Sequence, residues 1–186
     1  LIWFELGRAQ SGLKKYDDAL TTFKKALDLA NAAKKPDTDL ISEAEAGLGE
    51  VYARTGKTDD ASAQFDLAAK SNPTKAETYL TNEAAIFYNM GSADAQGVAA
   101  DKAIAADPKN ALPYYLKGQA LISIAGAAGK LTMDPKTNLL TLPPGCAEAY
   151  NKYLELAPTG PHAQEAKDIL AQAGTKIETK VSNKKK

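Results

Sequence analysis

A small residue followed sixteen positions later by the centre of a second apolar stripe, again and again, constrains this chain more than any other feature. Gly7 precedes Phe23 by 16, Gly49 precedes Phe65 by 16, and Ala84 precedes Ala100 by 16. Each pair sits in helical stripes. Trp3, Leu6 and Gly7 fall at i, i+3 and i+4, and Ala19, Phe23 and Ala26 at i, i+4 and i+7, so each set shares one helix face. Two such helices pack face to face, the small residues letting the backbones approach while the ring fills the gap. Self-similarity at a fixed period identifies an architecture in which each unit buries its apolar face only against its neighbours.

The second copy reads Leu48, Gly49 and Tyr52, then Ala61, Phe65 and Ala68, with Gly56 at the turn and Pro73 after the hairpin. The third reads Leu80, Ala84, Phe87, Gly91, Ala100, Ala103 and Pro108, and the fourth Tyr114, Gly118 and Leu121, then Cys146, Tyr150, Tyr153 and Pro158. Glycine suits a left-handed turn position and proline stops a helix. Trp-x-x-Leu-Gly, Tyr-Asp-Asp-Ala-x-x-x-Phe-x-x-Ala and Ala-x-x-Asp-Pro resemble the tetratricopeptide repeat (TPR) consensus over residues 1–158. Departures fall at Gln10, at Lys14 in place of the turn glycine, at Glu45 in place of the first large residue, and at Glu83 and Lys117. The resemblance implies an all-α, right-handed TPR superhelix of about four helix-turn-helix repeats forming one solenoid domain over 1–174. The repeats run over 1–35, 38–73, 75–108 and 111–158. The last two are also similar to exported, acidobacterial-type TPR proteins with an upstream carboxypeptidase-regulatory-like β domain, through Tyr-Asn-Met-Gly, Pro-Pro-Gly-Cys-Ala-Glu-Ala-Tyr and Gly-Pro-His-Ala. That narrower resemblance implies export to the periplasm or beyond.

Two breaks interrupt the period. In the fourth copy Gly118 lies 32 positions from Tyr150, so 16 extra residues fall between its two helices, within 126–145. Leu131, Met133, Leu140 and Leu142 around Asp134-Pro135-Lys136-Thr137-Asn138 predict two short strands joined by a turn, a small β-hairpin flap. It is either a decoration packed on the solenoid or a lid that meets a partner. The second break lengthens the step from Gly7 to Gly49 to 42, against 35 and 34 for the next two. The extra residues around 32–40 predict two longer helices, the second capped by Thr38 or Asp39. Residues 161–173 predict a helix capping the stack, and 175–186 a basic, mostly disordered tail.

The composition excludes several functions. Lysine plus arginine equals aspartate plus glutamate at 23 each, so no global field draws in nucleic acid or an anionic membrane. No apolar run approaches the roughly 20 residues of a membrane helix. Cys146 and His162 are the only cysteine and histidine, too few for a zinc site or a disulfide framework. Cys146 takes a small-residue core position and His162 a surface position at the start of the capping helix. Gly126-Ala-Ala-Gly129-Lys130 lacks the spacing of a phosphate loop, and Gly47-Leu48-Gly49 falls inside a helix. The sequence therefore predicts no catalytic residue, no cofactor and no metal.

Recognition is the remaining role. The TPR resemblance implies that the first helix of each hairpin lines a concave groove, with Phe4, Arg8, Glu43, Glu50, Arg54, Thr81, Tyr88, Asn89, Tyr115 and Gln119 facing it. Each tyrosine can serve the groove or pack between neighbouring first helices. Phe4, Arg8 and Gly47 stand where chaperone-binding members carry a lysine and asparagine clamp, which argues against a chaperone tail as ligand. The expectation is a non-enzymatic interaction scaffold for an unidentified protein or peptide. The alternative is a structural spacer or self-assembly element in a larger exported protein.

Overall fold

The computed structural model describes residues 1–178, so most of the basic tail, from residue 179 onward, lies outside the described residues. The chain divides into two compact units, residues 1–90 and 91–186.

The first unit holds α1 (Ile2–Gly12), α2 (Tyr16–Asn31), α3 (Thr38–Arg54), α4 (Thr58–Ser71), a 3-10 turn (Pro73–Lys75) and α5 (Ala76–Met90). Each helix packs on the next, and α1 also touches α3, as α3 touches α5. The odd-numbered helices thus form one layer and α2 with α4 the other. Phe23 of α2 is buried at the centre, and a Cβ added to Gly7 would stand 2.8 Å from its ring, one added to Gly47 only 2.7 Å. The ring is therefore held between the bare backbones of α1 and α3. Gly49 meets Phe65 in the same way, at 2.9 Å. Burying a phenylalanine contributes about 1.5–3 kcal/mol, so these two rings are principal fasteners of the layers.

The hairpin turns share one device. After α3, Gly56 sits at φ +78° while Lys57 N–H reaches back to the Tyr52 carbonyl, and after α1 Lys15 N–H reaches the Gln10 carbonyl. At this first turn the left-handed residue is Lys14, at φ +59°. Between the hairpins, α2 ends at Asn31 and α3 starts at Thr38, so the extra residues form a connector as well as longer helices. The cap of α3 is Asp37, whose Oδ1 accepts from the Asp39 and Leu40 N–H groups at 3.1 Å each, not Thr38 or Asp39.

The second unit holds α6 (Ala93–Ala106), α7 (Leu112–Ala127), α8 (Cys146–Leu156) and α9 (Ala163–Gln172), packed in chain order. Here Tyr150 of α8 is fully buried and lies against Gly118 of α7, where an added Cβ would be 2.8 Å from the ring. The ring-on-glycine contact survives a separation of 32 residues. Helix α9 buries Ala163, Ala166 and Leu170 and packs on α8. Beyond it, residues 175–178 pass Asn151, whose side chain donates to the Lys176 carbonyl at 3.3 Å and accepts from the Glu178 N–H at 2.9 Å.

The expected β-hairpin within 126–145 does not form. Among the described residues there is no strand, only one isolated antiparallel bridge between Met133 and Leu140. The turn itself is present: Asp134 accepts from the Lys136 and Thr137 N–H groups, and Asn138 takes φ +53°. The ladder ends at the Met133–Leu140 pair because on its turn side the Asp134 carbonyl accepts from the Asn138 N–H, while on the outer edge Leu140 N–H donates to the Gln172 carbonyl of α9 at 2.8 Å. Leu139 meets Gly174 on the same side, where an added Cβ would lie 2.7 Å from its Cδ1. The insertion is an irregular loop tied to the end of α9.

Candidate functional site

The first unit contains an open groove of ≈ 770 Å³ across α1, α3 and α5. Its lining follows helical spacing. Phe4, Arg8 and Ser11 come from α1, Glu43, Ala46, Gly47 and Glu50 from α3, and Tyr79, Asn82, Ile86 and Asn89 from α5. Residues three, four and seven apart on a helix share a face, which is why three helices each present one row to the same space. The edges of Phe23 and Phe65 reach the floor between them.

Polar contacts hold the groove in shape. The Tyr79 and Ser42 hydroxyls share a buried hydrogen bond of 2.8 Å that ties α5 to α3. Glu5 pairs with Arg8 at 3.5 Å, Glu50 with Arg54 at 2.8 Å, and Glu43 with Lys75 at 3.4 Å. Lys75 lies nearer Asp39, at 3.1 Å. All four pairs are largely exposed and each is worth about 0–1 kcal/mol. Arg8 also places its guanidinium 5.8 Å from the centre of the Phe4 ring.

The residues expected to line a groove separate into three groups. Phe4, Arg8, Glu43, Glu50 and Asn89 converge on the cavity of the first unit. Arg54, Thr81 and Tyr88 do not line it: Arg54 pairs with Glu50, Thr81 is buried and donates to Glu77 at 2.7 Å, and Tyr88 is exposed elsewhere on α5. Tyr115 and Gln119 lie in the second unit. Tyr115 is 1% exposed, its ring stacked on His162 at 3.9 Å and its hydroxyl donating to Glu165 at 2.7 Å. Gln119 donates to the same Glu165 carboxylate and to the Tyr115 hydroxyl. His162, expected at the surface, is half-buried in this stack because its own N–H donates to the Tyr153 hydroxyl at 2.9 Å.

Tyr79, Asn82 and Ile86 line the groove without having been singled out in the sequence. The signal for them was available: 79, 82, 86 and 89 form one i, i+3, i+7, i+10 row. Gly47 had a role that no repeat position assigned, making room for a ring of the preceding hairpin.

Among the described residues no group of histidine, cysteine, aspartate and glutamate is placed to hold a metal. Burial pushes the Cys146 thiol up to about 12, with Glu148 adding to the shift, so it carries no nucleophilic thiolate at neutral pH. No described helix is long and apolar enough to cross a membrane.

Comparisons with known proteins agree with this geometry. Residues 1–71 match the tetratricopeptide repeat family. No curated protein matches the sequence. Among solved structures, a tetratricopeptide repeat protein from Parabacteroides merdae ATCC 43184 is similar over 92% of this chain and 59% of its own, at TM-score 0.60 and 17% identity. The chain therefore spans 59% of that protein's length. MamA (41 to end) from Desulfovibrio magneticus RS-1 is similar over 93% of this chain and 88% of its own, at TM-score 0.53 and 19% identity. PilF from Pseudomonas aeruginosa is similar over 94% and 76%, at TM-score 0.53 and 16% identity. At such identities the likeness is one of fold. It lends no support to the narrower resemblance to exported proteins with an upstream β domain. Residues 1–71 match the tetratricopeptide repeat family, and the chain as a whole is similar in fold to solved tetratricopeptide repeat structures.

Proposed function

We propose that the chain is a non-enzymatic interaction scaffold whose first unit takes an extended peptide, or an extended segment of a partner protein, along its groove. The observation that carries this reading is the convergence of one row each from α1, α3 and α5 on a single open cavity of ≈ 770 Å³. Small-molecule and cofactor pockets occupy about 300–1,000 Å³, and this groove, at the upper end of that range, has room for a short peptide segment. Its chemistry suits a main chain: an apolar floor of Phe4, Phe23, Phe65 and Ile86, with the exposed amides of Asn82 and Asn89 above it. Asn151 in the second unit illustrates what such an amide does, gripping one irregular segment by a carbonyl and an N–H two residues apart.

Selection from a random peptide display library tests the reading. Selected peptides are expected to lose at least about tenfold in affinity, roughly 1.4 kcal/mol, against Asn82→Ala/Asn89→Ala with unchanged helicity. Peptides that bind the double variant as well as the parent place recognition elsewhere, and a library that yields no binder counts against a peptide groove.

A further inference from the structure

We infer that the groove of the first unit selects a basic segment, one that brings lysine or arginine side chains to Glu43 and Glu50. The inference rests on the peptide-groove reading and names the class of partner.

Charge is the first ground. The chain as a whole is balanced, with 23 positive and 23 negative side chains. The groove is not: Glu5, Glu43 and Glu50 line it against the single cation Arg8, a net of two negative charges. The groove lining thus carries an excess of negative charge, and a concave wall with such an excess concentrates the opposite charge.

The second ground is a guanidinium already in place. Arg8 lies over the Phe4 ring while paired with Glu5, combining a carboxylate, an aromatic face and an apolar floor. That corner is satisfied from within. Glu43 and Glu50, two turns apart on the same face of α3 and separated by roughly 10 Å along its axis, are paired only with cations outside the groove. Their partners Lys75 and Arg54 do not line the cavity. Lys75 keeps its closer partner Asp39 when Glu43 is taken, and the exposed Glu50–Arg54 pair gives way at a cost of about 0–1 kcal/mol.

The third ground is the floor. Beside these carboxylates lie Phe23, Phe65, Ala46 and Ile86, apolar surface along which the methylene stem of a lysine or arginine packs while its head stays at the carboxylate. An extended peptide in the polyproline II form advances about 3.1 Å per residue with three residues per turn, so basic side chains three positions apart share one face, roughly 9 Å apart, and reach both glutamates.

The test uses fluorescent ten-residue peptides on one alanine-leucine background, carrying two lysines three positions apart, two glutamates at the same places, or neither. Anisotropy titrations compare the parent chain with Glu43→Gln/Glu50→Gln and with Asp17→Asn/Asp18→Asn, which removes equal charge from the exposed start of α2. The lysine peptide is expected to bind the parent at least about tenfold tighter than the glutamate peptide. That preference is expected to vanish in the groove variant and to persist in the α2 variant. Equal binding of all three peptides to the parent, lost in Asn82→Ala/Asn89→Ala, keeps the peptide groove and overturns the basic partner. A lysine preference that survives in the groove variant, or falls equally in the α2 variant, assigns it to general charge and overturns the inference as well. No binding by any peptide overturns the inference together with the reading beneath it.

Discussion

Phe23 and Gly47 touch across 24 residues of chain, the ring edge lying where a side chain at position 47 would begin, 2.7 Å from its Cβ. Gly7 closes the other side at 2.8 Å, so the ring cannot retreat. Gly47→Ala is therefore expected to destabilise the fold by about 1–3 kcal/mol, overpacking outweighing the roughly 1 kcal/mol that alanine gains in a helix. Gly126→Ala is the matched control, since no other atom lies within 4 Å of its added Cβ, and it is expected to stabilise by up to about 1 kcal/mol. Urea midpoints of the two variants, moving in opposite directions, check the account.

Lys14 occupies a left-handed turn position at φ +59°, the conformation that Gly56 takes in the following hairpin. A side chain there costs about 1 kcal/mol relative to glycine. Lys14→Gly should raise the denaturation midpoint accordingly, while Gly56→Lys should lower it. Thermal melts that rank the two the other way would count against a strained first turn.

Glu45 stands at the place of a large apolar residue and is 7% exposed; burial pushes its carboxyl above the ordinary glutamate value, while the Ser71 hydroxyl pulls it back. The folded protein thus holds this proton more tightly than the unfolded chain does. The group costs nothing below the ordinary glutamate value, and its cost grows as pH rises through the raised folded value, above which it is constant. Glu45→Gln should leave stability unchanged in acid and increase it at neutral pH. Parent and variant unfolding curves between pH 4 and 8 measure the difference, and a gap independent of pH would rule out this assignment.

Cys146 is fully buried, its thiol pushed up to about 12 and donating to the Gly118 carbonyl at 3.7 Å. A thiol reagent at mildly alkaline pH is expected to label the native protein only as fast as it opens, and at once in denaturant. Rapid native labelling would show that α7 and α8 part more readily than this packing allows.

Much of the fold could be read from the spacing of glycine and ring. Residues 7 and 23, 49 and 65, and 118 and 150 meet as that spacing implies, because helix periodicity converts a sequence interval into a shared face. What could not be read depends on bonds between distant segments. Leu140 pairs with Met133 in a single bridge, but its N–H is taken by Gln172 of α9 and the Asp134 carbonyl by the turn, so no ladder extends from it. Tyr115 has the position of a groove residue, yet Glu165, fifty residues on, claims its hydroxyl. Asn82 and Ile86 were hidden for a different reason: polar and apolar residues at a groove obey no fixed composition, so only their row identifies them. Glu45 contradicts the repeat locally, and nothing in its neighbours' sequence announces that burial would still be enforced.

The loop between α7 and α8 makes one turn of this protein a port. Eighteen residues, from 128 to 145, stand where α1 and α2 are joined by three, and Tyr150 still finds Gly118. Closing a longer loop costs only about 0.6 kcal/mol per doubling of its length. A foreign segment could be spliced between these helices with both ends already anchored, and the scaffold would carry it as cargo.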